Sequence, residues 1–342
     1  MGVKPGLKRL LFFGCLLFSF CFVTVAGLTD CLKAGYRLEL DLSIGDTEEE
    51  NYLIAWASDI VTDKQGNIYV LDSKLKNIRV FSAEGKYLRH IGREGVGPGE
   101  FSDYMLLKMA ICPKGELYVL DRKISRITRF SSEGQYLNLF RIPFNPIKTR
   151  ELMFDSRGNL IIPGQLANSD KLFHVFNGEG HLIRSFGNFL PLAKSADPSI
   201  FRGDNQLLRL RHVLFDRKTG DVLVLSMMEY KIWRYSGQSD LPKVYAEHQA
   251  DYFIPYFIPE GMGHRIFPIK TLFSFQDIML IGMWSNPEDK VSGKEEYILD
   301  IFFAGKYLET IKAPGFLYHV DSQGRLYFAE EERIARYRLV QE

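Results

Sequence analysis

Six repeats of one sequence unit bring side chains able to do chemistry to matching places in a chain of 342 residues. Counting four residues back from the position of Asp63 in each repeat gives Asp59, Met109, Glu151, His212, Ile269 and Leu317. One step earlier stand Ser58, Lys108, Arg150, Arg211, Pro268 and Phe316. Two carboxylates and an imidazole (Asp59, Glu151 and His212) are ligands suited to a divalent cation such as Ca or Zn. Lys108, Arg150 and Arg211 suit a carboxylate or phosphate, which Arg grips bidentately. The competing reading is a solvated rim on which these charges pair with one another. A shift of one residue in the count disperses the set, so everything turns on the elements that carry it.

Those elements are legible as repeats. Residues 61–92 read VTDKQGNIYVLDSKLKNIRVFSAEGKYLRHIG, and residues 110–140 read AICPKGELYVLDRKISRITRFSSEGQYLNLF. The unit returns at 152–187 and 213–237, in worn form at 273–285 with 296–311, and last at 318–339, where it stops one strand short. Ile68, Leu117, Leu160, Val222, Ile278 and Leu326 mark equivalent points at the spacing of four-stranded propeller blades. The runs IYVLD and LYVLD are β-branched and aromatic, as buried strands prefer. Asp63, Asp155, Asp216 and Asp321 each precede a Gly, the pairing of a turn whose carboxylate accepts backbone N–H bonds while Gly supplies positive φ. A second turn recurs at Ser82–Gly85, Ser131–Gly134 and Asn177–Gly180. The unclaimed segment YRLELDLSI (36–44) alternates like a strand at the other end of the chain. It is predicted to complete the last blade and close the ring. The expected fold is all-β: a six-bladed β-propeller of four-stranded antiparallel blades over 36–342, with 27–35 as lead-in and no second domain.

The N-terminus has its own pattern. Lys4, Lys8 and Arg9 precede an uncharged stretch from Leu10 to Thr29, with small residues around Thr24–Ala26. This reads as a secretory signal peptide over 1–26, the alternative being an uncleaved anchor. The expected location is therefore outside the cytoplasm: periplasmic, cell-surface or extracellular. The whole chain has a formal charge of +1. Cleavage removes three cations and leaves −2, which argues against nucleic acid, whose binding needs phosphates neutralised. Of four cysteines, Cys31 and Cys112 remain after cleavage, and their pairing is left open.

The DxxGxxYVxD of the first copy, its following I-x-x-F and its GKYL resemble NHL repeats of six-bladed propellers. The tail of that copy, HIGREGVGPGEF (90–101), is similar to exported bacterial propellers without an assigned biochemical role. The resemblance covers 36–342 in outline and implies the fold far more than the function, since such propellers include RNA binders, sensor domains, lyases and lactonase relatives. The Gly-rich GREGVGPGEF stretch is neither a Walker A sequence nor a dinucleotide fingerprint and reads as a structural turn.

No GxSxG elbow, HExxH or spaced Cys–His pair is present, so no catalytic residue is assigned. The insertion DYFIPYFIPEGMGHRIFP (251–268) is unusually aromatic, and Tyr252, Tyr256 and Phe257, with Trp56, form either a packed-down cover or a binding surface. The expected function is a non-catalytic exported module, monomeric, that binds a protein, peptide or glycan at the channel mouth. The alternative is a metal-dependent lyase or lactonase-like enzyme at the same place. Membrane contact enters only through an uncleaved N-terminus.

Overall fold

The computed structural model describes residues 35–102, 107–144, 151–167, 169–191, 210–216, 218–226, 229–237, 239–250, 271–284, 296–330 and 332–342, with Leu210, Arg211 and Trp284 described by their backbone alone. The predicted signal segment over 1–26, Cys31 and the aromatic insertion lie outside these residues. Among the described residues no helix is long and apolar enough to cross a membrane.

Six four-stranded sheets follow one another along the chain. Their innermost strands are Ala57–Thr62, Leu107–Ile111, Met153–Phe154, Leu210–Asp216, Thr271–Phe275 and Phe316–Val320. Five blades are simple meanders paired antiparallel in chain order. Blade 6 takes its outermost strand from the start of the chain: Tyr36–Ile44 is hydrogen-bonded to Arg333–Gln341. Arg336 anchors that closure, its Nε lying 2.6 Å from Asp41 Oδ2 while Nη1 donates to Ala83 O of blade 1 at 2.6 Å. Residues Leu38–Leu339 form one compact unit. In a second, which takes in Met1–Arg37 and Val340–Glu342, Glu342 N–H donates to Gly35 O at 2.8 Å.

The core lies between blades. The second strands Ile68–Asp72, Leu117–Asp121 and Asp221–Ser226 are buried along their whole length because both faces meet a neighbouring sheet. Tyr69, Leu71 and Val80 of blade 1 pack with Leu107, Met109 and Val119 of blade 2. Tyr118 and Leu120 of blade 2 pack in turn with Phe154 and Leu160 of blade 3, where Tyr118 meets Phe154 edge-on at 4.8 Å. Blade 6 returns to blade 1 through Tyr327 and Ile334 against Ile60 and Val70. Cys112 is buried as a free thiol in the core between blades 2 and 3.

The repeated turns use the chemistry their residues dictate. Asp155 Oδ1 accepts the N–H groups of Arg157 (2.9 Å) and Asn159 (2.8 Å), and Gly158 takes φ of 82°. Asp63 and Asp321 repeat the arrangement with Gly66 and Gly324. In the second turn Asn177 Oδ1 accepts from Glu179 and His181. The GREGVGPGEF segment is structural as expected. Phe101 is fully buried against Phe130, Arg126 Nη1 donates to Val96 O at 2.7 Å, and a side chain at Gly92 would collide with the Phe101 ring.

Two histidines are held neutral by the fold. His174 is fully buried, with Nδ1 2.8 Å from Ser185 Oγ, and burial lowers its pKa. His319, in the innermost strand of blade 6, contacts Thr62 Oγ1 of blade 1 through Nε2 at 2.9 Å, and burial pushes its pKa down to about 4.

Two outcomes are expected. Asp155→Ala, which strips three acceptor contacts from one turn, should lower unfolding free energy by about 1–2 kcal/mol in urea denaturation, whereas Ser82→Ala at an exposed second turn should lower it by less than about 1 kcal/mol. The second concerns pH. A histidine whose folded pKa is depressed binds its proton more readily when unfolded, so stability should decline as pH falls below the unfolded value near 6.5, through the window down to about 4 for His319. Denaturation curves between pH 7.5 and 4.5 should show that decline, and His319→Gln, which can still hydrogen-bond Thr62, should flatten it. A variant as pH-dependent as the natural protein would refute the assignment.

Candidate functional site at the channel mouth

The six innermost strands surround a cavity of about 840 Å³ whose walls include Asp59, Lys108, Glu151, His212, Phe273, Phe316, Tyr318 and His319. Strand pairing fixes which residues share a level. Asp59 lies opposite Leu71, Lys108 opposite Leu120 and His212 opposite Leu225, three equivalent positions of the second strand. Glu151 precedes the short strand Met153–Phe154 by two residues. The level of Asp59 is thus occupied by Lys108 in blade 2, not by Met109 as the count from the sequence predicts. Cys112, rather than the residue after it, holds the turn position of Asp63, since Gly115 N–H donates to Cys112 O just as Gly66 N–H donates to Asp63 O.

Blades 5 and 6 also depart from the count. Phe275 pairs with Ile278 across a two-residue turn in which Gln276 takes φ of 55°, so Leu272 faces Ile281 at this level. The predicted positions Pro268 and Ile269 lie outside the described residues. In blade 6 the pairing skips Tyr318 between Leu317 and His319, and this irregularity puts Phe316, not Leu317, at the level of Asp59.

The four polar residues pair across blades. Lys108 Nζ stands 3.3 Å from Asp59 Oδ1, and Met109 N–H donates to Asp59 Oδ2 at 2.8 Å. Asp59 is almost fully buried, so these two partners offset the loss of its hydration. His212 Nδ1 lies 3.1 Å from Glu151 Oε1, and the imidazole rests against Phe273 at 5.4 Å between centroids. Tyr318 donates to Ala57 O at 3.0 Å and stays protonated, because burial and the nearby Asp59 both raise its pKa. Deeper in, neutral His319 sits between Phe273 and Tyr327.

The predicted metal ligands are placed as follows. Glu151 and His212 meet, but Asp59 is turned to blade 2, and among the described residues no three His, Cys, Asp or Glu side chains group closely enough to hold a metal ion. Of the predicted cations, Lys108 is in the wall. Arg211 is described only by its backbone, at the irregularity between Leu210 and His212, and Arg150 lies outside the described residues. Trp56 is 58% exposed at the entry to the first inner strand, while Tyr252, Tyr256 and Phe257 fall in the undescribed insertion. Sequence reasoning missed Phe273, Tyr318 and His319 as wall residues; the Phe-x-Tyr-His run at 316–319 carried that signal.

The geometry can be set beside known proteins. The model of the DUF5128 family, described as a 6-bladed beta-propeller, matches residues 46–176. A search of curated proteins finds no match. Among solved structures, a Bacteroides fragilis protein to which export is ascribed is 14% identical, with the alignment covering 89% of this chain and 95% of that one at a TM-score of 0.57. A DUF4221 family member from Bacteroides vulgatus is 10% identical over 90% and 98% of the two chains, with a TM-score of 0.61. A catalytically inactive virginiamycin B lyase from Staphylococcus aureus, solved with quinupristin, is 10% identical over 90% and 100%, with a TM-score of 0.50. At such identities the likeness is one of fold. Strand order, family model and structural neighbours agree on it: the chain is an all-β, six-bladed propeller with four antiparallel strands to each blade.

Proposed function

We propose that the chain is an exported propeller of the NHL type that works, as a monomer, as a non-catalytic binding module taking a protein, peptide or glycan at its channel mouth. The observation that supports this most is the cavity of about 840 Å³, within the volume range of small-ligand sites, with two pairs of its polar residues in contact across blades. Asp59 with Lys108, and Glu151 with His212, present fixed donors and acceptors that already face one another across blades. That suits recognition of a polar, uncharged surface. Export is supported by the basic-then-apolar N-terminal segment, and nucleic acid is disfavoured by the charge of −2 that remains after cleavage.

A second reading, a lyase- or lactonase-like enzyme, is favoured by the Glu151–His212 contact, in which a carboxylate orients an imidazole facing the cavity. Its metal-dependent form would require Asp59 to leave Lys108 and the Met109 amide.

Two measurements separate the readings. Small peptides and glycans retained from an extract by the immobilised protein should emerge with unchanged mass. Ser274→Trp, which puts an indole into the channel wall, should reduce their retention at least tenfold. Recovery of chemically altered compounds would instead establish turnover. Elemental analysis of protein purified without chelator should find Ca and Zn well below one per chain; a stoichiometric metal would revive the metal-dependent enzyme.

A further inference from the structure

The mouth of the channel is two-sided. Going round the ring, blades 1 to 4 present an acid, a base, an acid and a base: Asp59, Lys108, Glu151 and His212. Blades 5 and 6 present none at that level. Leu272 is fully buried in the core between blades 4 and 5, and the wall there is made by Phe273, Phe316 and Tyr318, all partly exposed to the cavity. Phe316 and Tyr318 stand edge to face at 4.7 Å, and the Tyr318 hydroxyl donates to Ala57 O, so these rings give this half an apolar surface beside the hydroxyls of Thr271 and Ser274.

From this division, and resting on the binding reading above, we infer that the channel mouth takes the uncharged end of a glycan, a sugar ring lying with its C–H face on the aromatic half and its hydroxyls toward the arc of blades 1 to 4. A pyranose has this two-sided character. Its axial C–H bonds make an apolar, weakly positive face that complements the negative face of an aromatic ring. Its vicinal hydroxyls both donate and accept, matching an arc in which carboxylates alternate with an ammonium and an imidazole. A ligand with a strong net charge would compete with the Asp59–Lys108 and Glu151–His212 contacts already in place. An aromatic peptide end fits the apolar half but supplies fewer groups for the arc, so the chemistry favours the sugar.

The test uses the full exported chain and a defined panel: methyl glycosides of neutral hexoses, pentoses and N-acetylhexosamines, the corresponding uronic acids, and short peptides ending in Phe or Tyr. Binding is read by isothermal titration and by saturation-transfer NMR. At least one neutral glycoside should bind, with transfer strongest at its ring C–H protons, and its uronic acid counterpart should bind at least tenfold more weakly. Phe316→Leu, which keeps bulk but removes the ring, should weaken that glycoside tenfold or more, as should Glu151→Gln. Lys108→Met, in the solvent-reached part of the arc, guards against a folding defect and should act in the same direction.

Peptides binding through the same residues while no glycoside binds would overturn the inference and leave the binding-module reading standing. So would uronic acids binding more tightly than neutral sugars. Silence from every panel member would also count against it, and turnover of any member would sink the broader reading instead.

Discussion

A four-stranded sheet has two apolar faces to bury and two edges to protect, and this protein meets both demands by stacking its sheets around an axis. Each face is covered by the next sheet, so the second strands of blades 1, 2 and 4 are buried from end to end although each belongs to a small sheet. The arrangement holds only if the ring closes. An open series would leave the blade 6 face that now packs Tyr327 and Ile334 against Ile60 and Val70 exposed to water. It would also leave Arg333–Gln341 as a long unpaired edge.

That same requirement builds the channel mouth. Closing the ring brings innermost strands together at a common radius, and the polar contacts found there are ties between blades. Lys108 reaches from blade 2 to Asp59 of blade 1, and His212 from blade 4 to Glu151 of blade 3. His319 reaches from blade 6 to Thr62, and Tyr318 to the Ala57 carbonyl. Groups that could grip a ligand therefore also brace the scaffold. This fits pre-organised recognition, since side chains fixed by neighbours lose little freedom when a ligand arrives.

How much of this was legible in the sequence follows from the range of the forces involved. Turns are local, so Asp63, Asp155 and Asp321 announced their N–H acceptors and their glycines without reference to the rest of the chain. The closing strand was legible because Tyr36–Ile44 alternates and the last repeat lacks one strand. The level of the wall residues was legible in part: the count holds for Asp59, Glu151 and His212 but misses Lys108, Leu272 and Phe316. The skipped Tyr318, the irregularity beside His212 and the tight turn at Gln276 each move a register by a residue or more, and in a strand one residue decides which face a side chain takes. The pairing of Asp59 with Lys108, rather than with Glu151 and His212, depended on distances between blades that no spacing along the chain encodes.

The outermost strand of blade 6 comes from residues 36–44 and its partner from residues 333–341. Joining ends of a loop of nearly the whole chain carries an entropic penalty of about 5 kcal/mol, which cannot be met by gradual local assembly. A ribosome makes residues 36–44 well before residues 333–341, so five meanders can form as they emerge while the earlier strand has no mate. Maturation of this molecule thus hinges on keeping one short amphipathic ribbon from bonding to a stranger during the time its own partner is still being synthesised.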